Sequence, residues 1–239
     1  MQYSSELIPA TLLRRYKRFL ADVELADGSV ITVHSPNTGS MQGCADPGMR
    51  VWIRDAQNPK RKYRYAWELS QTDSGTLINI NTILTNHLVR EGIERGVVAE
   101  LQGYDTIRSE VAYGVQRSRI DLLLERLQVG EQQQCYVEVK NVTAYQGEAT
   151  AIFPDAVTAR GAKHLEELMH MVAQGQRAVI FFCVSRDDVT QVQPADAIDP
   201  HYGQVLRQAL AQGVEALAYR VAVKGQAIEL DRSLPVVCP

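Results

Sequence analysis

The chain has 239 residues, 45% of them apolar and 22% charged, with a formal net charge of −3. This balance suits one large or two small folded domains and excludes a disordered or low-complexity chain. The slight negative charge argues against binding nucleic acid by bulk charge alone, and no apolar run approaches the ~18 residues of a membrane span.

The N-terminus, MQYSSELIPATLLRRYKRF, lacks a basic start followed by an apolar core, so no signal peptide is expected and a cytoplasmic protein is the default. The four cysteines, Cys44, Cys135, Cys183 and Cys238, show no CxxC spacing, which disfavours a zinc site or a disulfide framework. Cys135 and Cys183 lie in apolar runs and read as buried small hydrophobes.

Residues 1–80 read as all-β. Thr11–Leu25 is a long, partly alternating run that ends at the hairpin signal Ala26-Asp27-Gly28. Ser29–His34 is a second strand, Ser35–Gly48 a loop dense in Gly, Pro, Asn and Ser, and Arg50–Asp55 a third strand. Tyr63–Thr72 and Gly75–Ile80 form a hairpin across Asp73-Ser74. Five short strands without a helix suggest a small barrel, with the oligonucleotide-binding barrel one candidate.

Two basic-aromatic clusters sit in this part. One holds Arg14, Arg15, Lys17 and Arg18 with Tyr16 and Phe19; the other holds Lys60, Arg61, Lys62 and Arg64 with Tyr63, Tyr65 and Trp67. Cations can bind phosphates and exposed rings can stack bases. A solvated edge strand with its aromatics in the core would look the same. The first 80 residues carry 10 Lys+Arg against 8 Asp+Glu, the remainder 15 against 20, so the N-terminal part is the expected polyanion contact.

Residues 81–239 read as a mixed α/β domain. Asn81–Gly96 is helical, with Asn79 or Asn81 as its cap. Ile107–Tyr113, Arg119–Leu127 and Gln134–Thr143 are strands, with a turn over Val129–Gln134. A helix Ala156–Ala173 enters through Phe153-Pro154-Asp155, with Val157, Gly161, Leu165, Leu168 and Val172 as its apolar stripe. Arg177–Ser185 is a strand buried on both faces. A helix from Pro200, capped by Asp199, and two strands around Lys224-Gly225 close the chain. The order is α-β-β-β-α-β, then α-β-β, which implies a mixed sheet with helices on its faces.

One constellation carries chemistry. On a strand, Glu138 and Lys140 point the same way while Val137 and Val139 point into a core. If the preceding strand pairs with this one, Asp121 can sit beside Glu138. Asp121 and Glu138 would then ligate Mg²⁺ or Mn²⁺, with the Val139 carbonyl as a further ligand. Lys140 would orient and deprotonate a water or stabilise charge growing on phosphorus, and the reaction would be phosphodiester hydrolysis. Glu110 is a third or outer carboxylate. Arg160 and Lys163 can contact a phosphate, or form a solvated face. His164, between them and the next turn, reads as structural. A surface hairpin with a cross-strand ion pair is the alternative to the whole set.

These residues carry a resemblance at two levels. The α-β-β-β-α-β order with Asp121, then Glu138-Val139-Lys140, resembles the PD-(D/E)xK nuclease superfamily, with Ile120 where the name has proline. Over nearly the whole chain, RYKRFLADV (15–23), PNTGSM (36–41), RSRIDLLL (117–124), YVEVKNVT (136–143), FPDAVTARGAKHLEEL (153–168) and RAVIFFCV (177–184) resemble the bacterial sugar fermentation stimulation protein A family. The resemblance implies an N-terminal oligonucleotide-binding barrel and a C-terminal restriction-endonuclease-like domain. It also implies sequence-nonspecific DNA binding and a proposed regulatory link to sugar, especially maltose, utilisation, although no residue shows a link to maltose.

Three functional expectations follow. The chain is a DNA-binding regulator gripping the backbone through its barrel; or a Mg²⁺-dependent nuclease acting on DNA or RNA; or a module that binds a small molecule or a protein in the cleft between domains. The first two are compatible, and DNA binding with an intact metal site is favoured.

Overall fold

The computed structural model describes residues 1–115, 118–128 and 131–239. Arg117 and the Val129-Gly130 part of the expected turn lie outside them. The expected Thr11–Leu25 strand is two strands, β1 (Leu7–Tyr16) and β2 (Leu20–Glu24), joined at Lys17, Arg18 and Phe19. Lys17 and Arg18 take the turn at φ of 50° and 64° without the Gly or Asn that usually marks it. A bulge between Leu12 and Arg14 also breaks the alternation.

β2 continues to β3 (Val30–His34), β4 (Arg50–Asp55), β5 (Tyr65–Gln71) and β6 (Leu77–Asn79) in the order β3-β2-β1-β4-β5-β6. A parallel pairing of His34 with Ala66 joins β3 to β5 and closes a five-stranded barrel, with β6 appended. Leu12, Val23, Val33, Val51, Ile53 and Trp67 fill it. The closed circuit β1-β2-β3-β5-β4 is the oligonucleotide-binding topology.

The second part opens with a 3-10 turn at Thr82–Leu84, where the Asn81 side chain accepts from the Ile83 amide, and α1 (Thr85–Glu94). β7 (Thr106–Tyr113), β8 (Ser118–Gln128) and β9 (Glu131–Val142) follow. α2 (Ala159–Ala173) comes after two further strands, β10 (Ala144–Gly147) and β11 (Thr150–Phe153). The chain ends with β12 (Arg177–Val184), β13 (Gln191–Pro194), α3 (Pro200–Ala211), β14 (Glu215–Lys224) and β15 (Ala227–Leu234).

Six of these strands form one sheet in the order β15-β14-β12-β9-β8-β7, with β9, β12 and β14 parallel. On one face α1 packs Leu88, Val89 and Ile93 against Val137, Val139 and Phe181. On the other, α2 and α3 pack Leu165, Leu168 and Val205 against Ile120, Tyr136 and Ile180. β9 alternates between these cores, so Glu138 and Lys140 face α2. β10, β11 and β13 make a separate three-stranded sheet that the expected element order did not contain.

Two details of α2 depart from expectation. The helix begins at Ala159 behind a Thr158 cap, and Val157 is 78% exposed outside it. Gly161 does allow close packing: a Cβ there would come within 3.1 Å of the Tyr202 ring on α3.

The two parts are joined by hydrogen bonds. Asn79 N donates to Ser185 O at 2.8 Å, and the Thr82 hydroxyl donates to Pro36 O at 2.9 Å. Asp155 Oδ2 accepts from both the amide and the hydroxyl of Ser40 at 3.0 Å. Expected at the entry to α2, Asp155 thus ties that entry to the β3–β4 loop. The first residues belong with the far sheet: Tyr3 N donates to Gln226 O at 3.0 Å, and Gln2 bridges Ala227.

Candidate metal centre and nucleic-acid face

β8 and β9 pair from Gln128 opposite Glu131 to Leu122 opposite Val137, and the ladder stops there. One residue further, Asp121 turns its carboxylate toward β9. Oδ2 accepts the Val139 amide at 2.7 Å, taking the place of the missing backbone acceptor, and Oδ1 accepts Asn86 Nδ2 from α1 at 2.8 Å. Glu138, 2% exposed, faces α2 beside it. Its Oε1 accepts Lys140 Nζ at 2.6 Å and meets His164 Nδ1. Its Oε2 is buried and, among the described residues, has no hydrogen-bond partner.

The two carboxyls are pushed apart in pKa. Burial, then the charge of Glu138, raises Asp121 to about 6. Burial also pushes Glu138 up, but hydrogen bonding to His164 and the nearby Lys140 outweigh it and hold the group below its ordinary value. A buried and a half-buried carboxylate of unequal basicity beside an ammonium are arranged as in sites for proton transfer or cation binding. The lone Oε2 fits a hard divalent cation, which satisfies a buried carboxylate oxygen without a protein donor. Among the described residues, no three His, Cys, Asp or Glu side chains come together as a metal cluster, so waters and backbone carbonyls would complete the shell.

Other expected site residues fall differently. Glu110 has the register position beside Asp121 but adopts φ 56°, is exposed, and interrupts the β7–β8 pairing. Among the described residues its carboxylate bonds to neither Asp121 nor Glu138. Arg160 on α2 turns its Nε to His164 Nε2 at 3.3 Å, and Lys163 is half-buried on the same helix.

The two basic clusters lie on the β1–β2 and β4–β5 connections and the strand ends beside them. In oligonucleotide-binding barrels these are the loops that flank the ligand face. Within the first cluster, Arg15 is a clamp. Its guanidinium donates to the carbonyls of Arg18, Asn37 and Gly39 at 2.7–3.0 Å. Arg18 donates to Thr38 O at 2.9 Å. Arg14 is paired with Asp22 at 2.8 Å, and Asp22 also accepts from Tyr16 and Thr32. Arg64 pairs with Asp55 at 2.7 Å. Lys17, Lys60, Arg61 and Lys62 are exposed and have no ion pair among the described residues.

The family model described as the SfsA N-terminal OB domain matches residues 13–80, and the one described as the sugar fermentation stimulation protein RE domain matches residues 83–227. A sugar fermentation stimulation protein homolog of Geobacter metallireducens is 59% identical over 99% of this chain and 100% of its own length. That of Pelobacter propionicus is 62% identical over 97% of each. The chain belongs to the sugar fermentation stimulation protein family. The solved structure of Pyrococcus furiosus SfsA in complex with Ca²⁺ matches with a TM-score of 0.87 at 29% identity, covering 99% of this chain and 98% of that one.

Two polar residues on the helices beside this site, half-buried Asn86 and buried Glu167, were not singled out from sequence. Asn86 orients Asp121, and nothing but its place on the first turns of α1 could have suggested it. Glu167, 1% exposed on α2, accepts the Val115 amide at 3.1 Å and so braces the turn after β7. Its signal was an acid next to Leu168, at the border of the apolar stripe. His164, which reads as structural in the sequence, is in the centre of the cluster.

Proposed function

We propose that this chain is a DNA-binding protein with a divalent-metal phosphodiesterase centre, the barrel holding the sugar–phosphate backbone. The observation that carries this reading is the buried Glu138 Oε2, unpartnered beside Asp121 and Lys140 where β8 and β9 part. Asp121, Glu138 and the Val139 carbonyl would hold Mg²⁺ or Mn²⁺. The complex of the Pyrococcus furiosus relative with Ca²⁺ supports a hard divalent cation on this scaffold. Bound there, the cation would supply Lewis-acid polarisation of the phosphodiester. Asp121 is held against the Val139 amide and Glu138 against Lys140, so both are oriented in advance. Lys140, with its ammonium 2.6 Å from Glu138, is a fixed positive charge for a phosphorane-like transition state.

Lys17, Lys60, Arg61 and Lys62 supply exposed cations on the two barrel loops, without an ion pair among the described residues. Backbone contact by such groups is insensitive to base sequence and steeply dependent on salt. DNA retention in chelator, measured against salt, tests the binding half. The reading expects retention that falls steeply with salt and survives Asp121→Ala. Absence of retention even at low salt would leave a small-molecule or protein-binding module instead.

A further inference from the structure

We propose that His164, locked by Arg160, is a positioning residue for Glu138, spending Oε1 on the protein so that Oε2 alone is presented to the cation. This rests on the metal-centre reading above.

The two ring nitrogens of His164 face opposite chemistry. Nδ1 meets Glu138 Oε1, an acceptor; Nε2 meets Arg160 Nε at 3.3 Å, which can only donate. One placement of the ring proton satisfies both: on Nδ1, with the Nε2 lone pair toward Arg160. Arg160 selects that tautomer, and the N–H then points at Glu138. Lys140 Nζ, 3.2 Å from Nδ1 and 2.6 Å from Oε1, converges on the same oxygen. Two donors therefore hold Oε1, and the carboxylate plane is set by them. Oε2, without a donor, is left as the ligating arm.

The spacing supports this use. Arg160 and His164 are one turn apart on α2, so both side chains reach the same point of β9. The His164 side chain is 8% exposed, with both nitrogens engaged. It has no lone pair to offer an attacking water and is not a general base here. Arg160, read from sequence as a phosphate contact or part of a solvated face, engages the ring through Nε.

The experiment uses the full chain labelled with ¹⁵N-histidine and freed of metal, with His164 signals assigned by their loss in His164→Asn. The wild type is expected to show the Nδ1–H tautomer, and Arg160→Met a shift toward Nε2–H. Mn²⁺ affinity is then measured by calorimetry. His164→Ala and Arg160→Met are expected to bind about 10-fold or more weakly, as is usual when a residue orienting a metal ligand is lost. His164→Asn, which keeps a donor near the Nδ1 position, is expected to recover most of the affinity. A wild-type Nε2–H tautomer, or wild-type Mn²⁺ affinity in His164→Ala, overturns the proposal. A wild type that shows Nδ1–H but binds no Mn²⁺ overturns the role given to Oε2 through failure of the metal reading, with the His164–Glu138 contact intact. Arg160 is on the surface, so Arg160→Met gives a readout even where a substitution at buried His164 unfolds the chain.

Discussion

Asp121 Oδ2 accepts the Val139 backbone amide at 2.7 Å, at the point where β8 stops pairing with β9. The carboxylate thus has two duties: it caps a strand amide, and it adds negative charge next to Glu138. The duties separate on substitution. Asp121→Ala leaves the amide without an acceptor and is expected to cost about 1–3 kcal/mol. Asp121→Asn keeps an oxygen for that amide and removes the repulsion, so it is expected to stabilise the metal-free chain near neutral pH by about 1–2 kcal/mol. Denaturant unfolding of both variants in chelator reads the signs.

The same carboxyl gives a pH signature. Burial and then Glu138 raise it from an ordinary 3.8 to about 6 in the folded chain. Between those values the folded state holds the proton more tightly than the unfolded state does. Stability from this group is therefore full below the unfolded value, falls as pH rises through the window, and levels off above the folded value. Denaturation midpoints of the metal-free chain across pH 4–7, with and without Asp121→Asn, isolate it: the difference between the two should grow with pH and then flatten above about 6.

Arg15 is expected to matter for stability more than for DNA. It donates to the carbonyls of Arg18, Asn37 and Gly39, and the loop it holds reaches Asp155 through Ser40. Arg15→Met is expected to lose about 2–3 kcal/mol of unfolding free energy. Lysine should not rescue it, because an ammonium cannot reproduce the planar fork.

How legible these features were depends on their range. The Glu138–Lys140 pairing on one face follows from strand alternation alone, and the six-stranded sheet follows from the order of elements. The β1–β2 hairpin did not show, because Lys17 and Arg18 adopt positive φ without a turn residue and a bulge blurs the alternation. The small β10-β11-β13 sheet did not show because its strands have only four residues each, too few for a period to register. Arg15 and Arg160 looked like phosphate contacts because charge is visible in sequence and its partners are not: backbone carbonyls 22 and 24 residues away for Arg15, and a ring nitrogen for Arg160.

The exposed cations on the barrel loops are the complementary test. Lys17→Ala, Lys60→Ala, Arg61→Ala and Lys62→Ala are each expected to weaken DNA retention alike across sequences. Each should lower the slope of log affinity against log salt by about 1, while Arg14→Ala, whose charge Asp22 already offsets, should change it less. Fluorescence anisotropy at several salt concentrations measures both quantities, and folding is expected to be unchanged.

Asp121, Glu138 and Lys140 are proposed to form a metal-dependent phosphodiesterase centre. The most direct measurement is cleavage of end-labelled single- and double-stranded DNA and RNA by the purified chain with Mg²⁺, with Mn²⁺ or with chelator, beside Glu138→Ala. The expected result is products with metal only, absent from Glu138→Ala, while that variant still retains DNA. Intact substrate under every condition, or equal products from the wild type and Glu138→Ala, would contradict it.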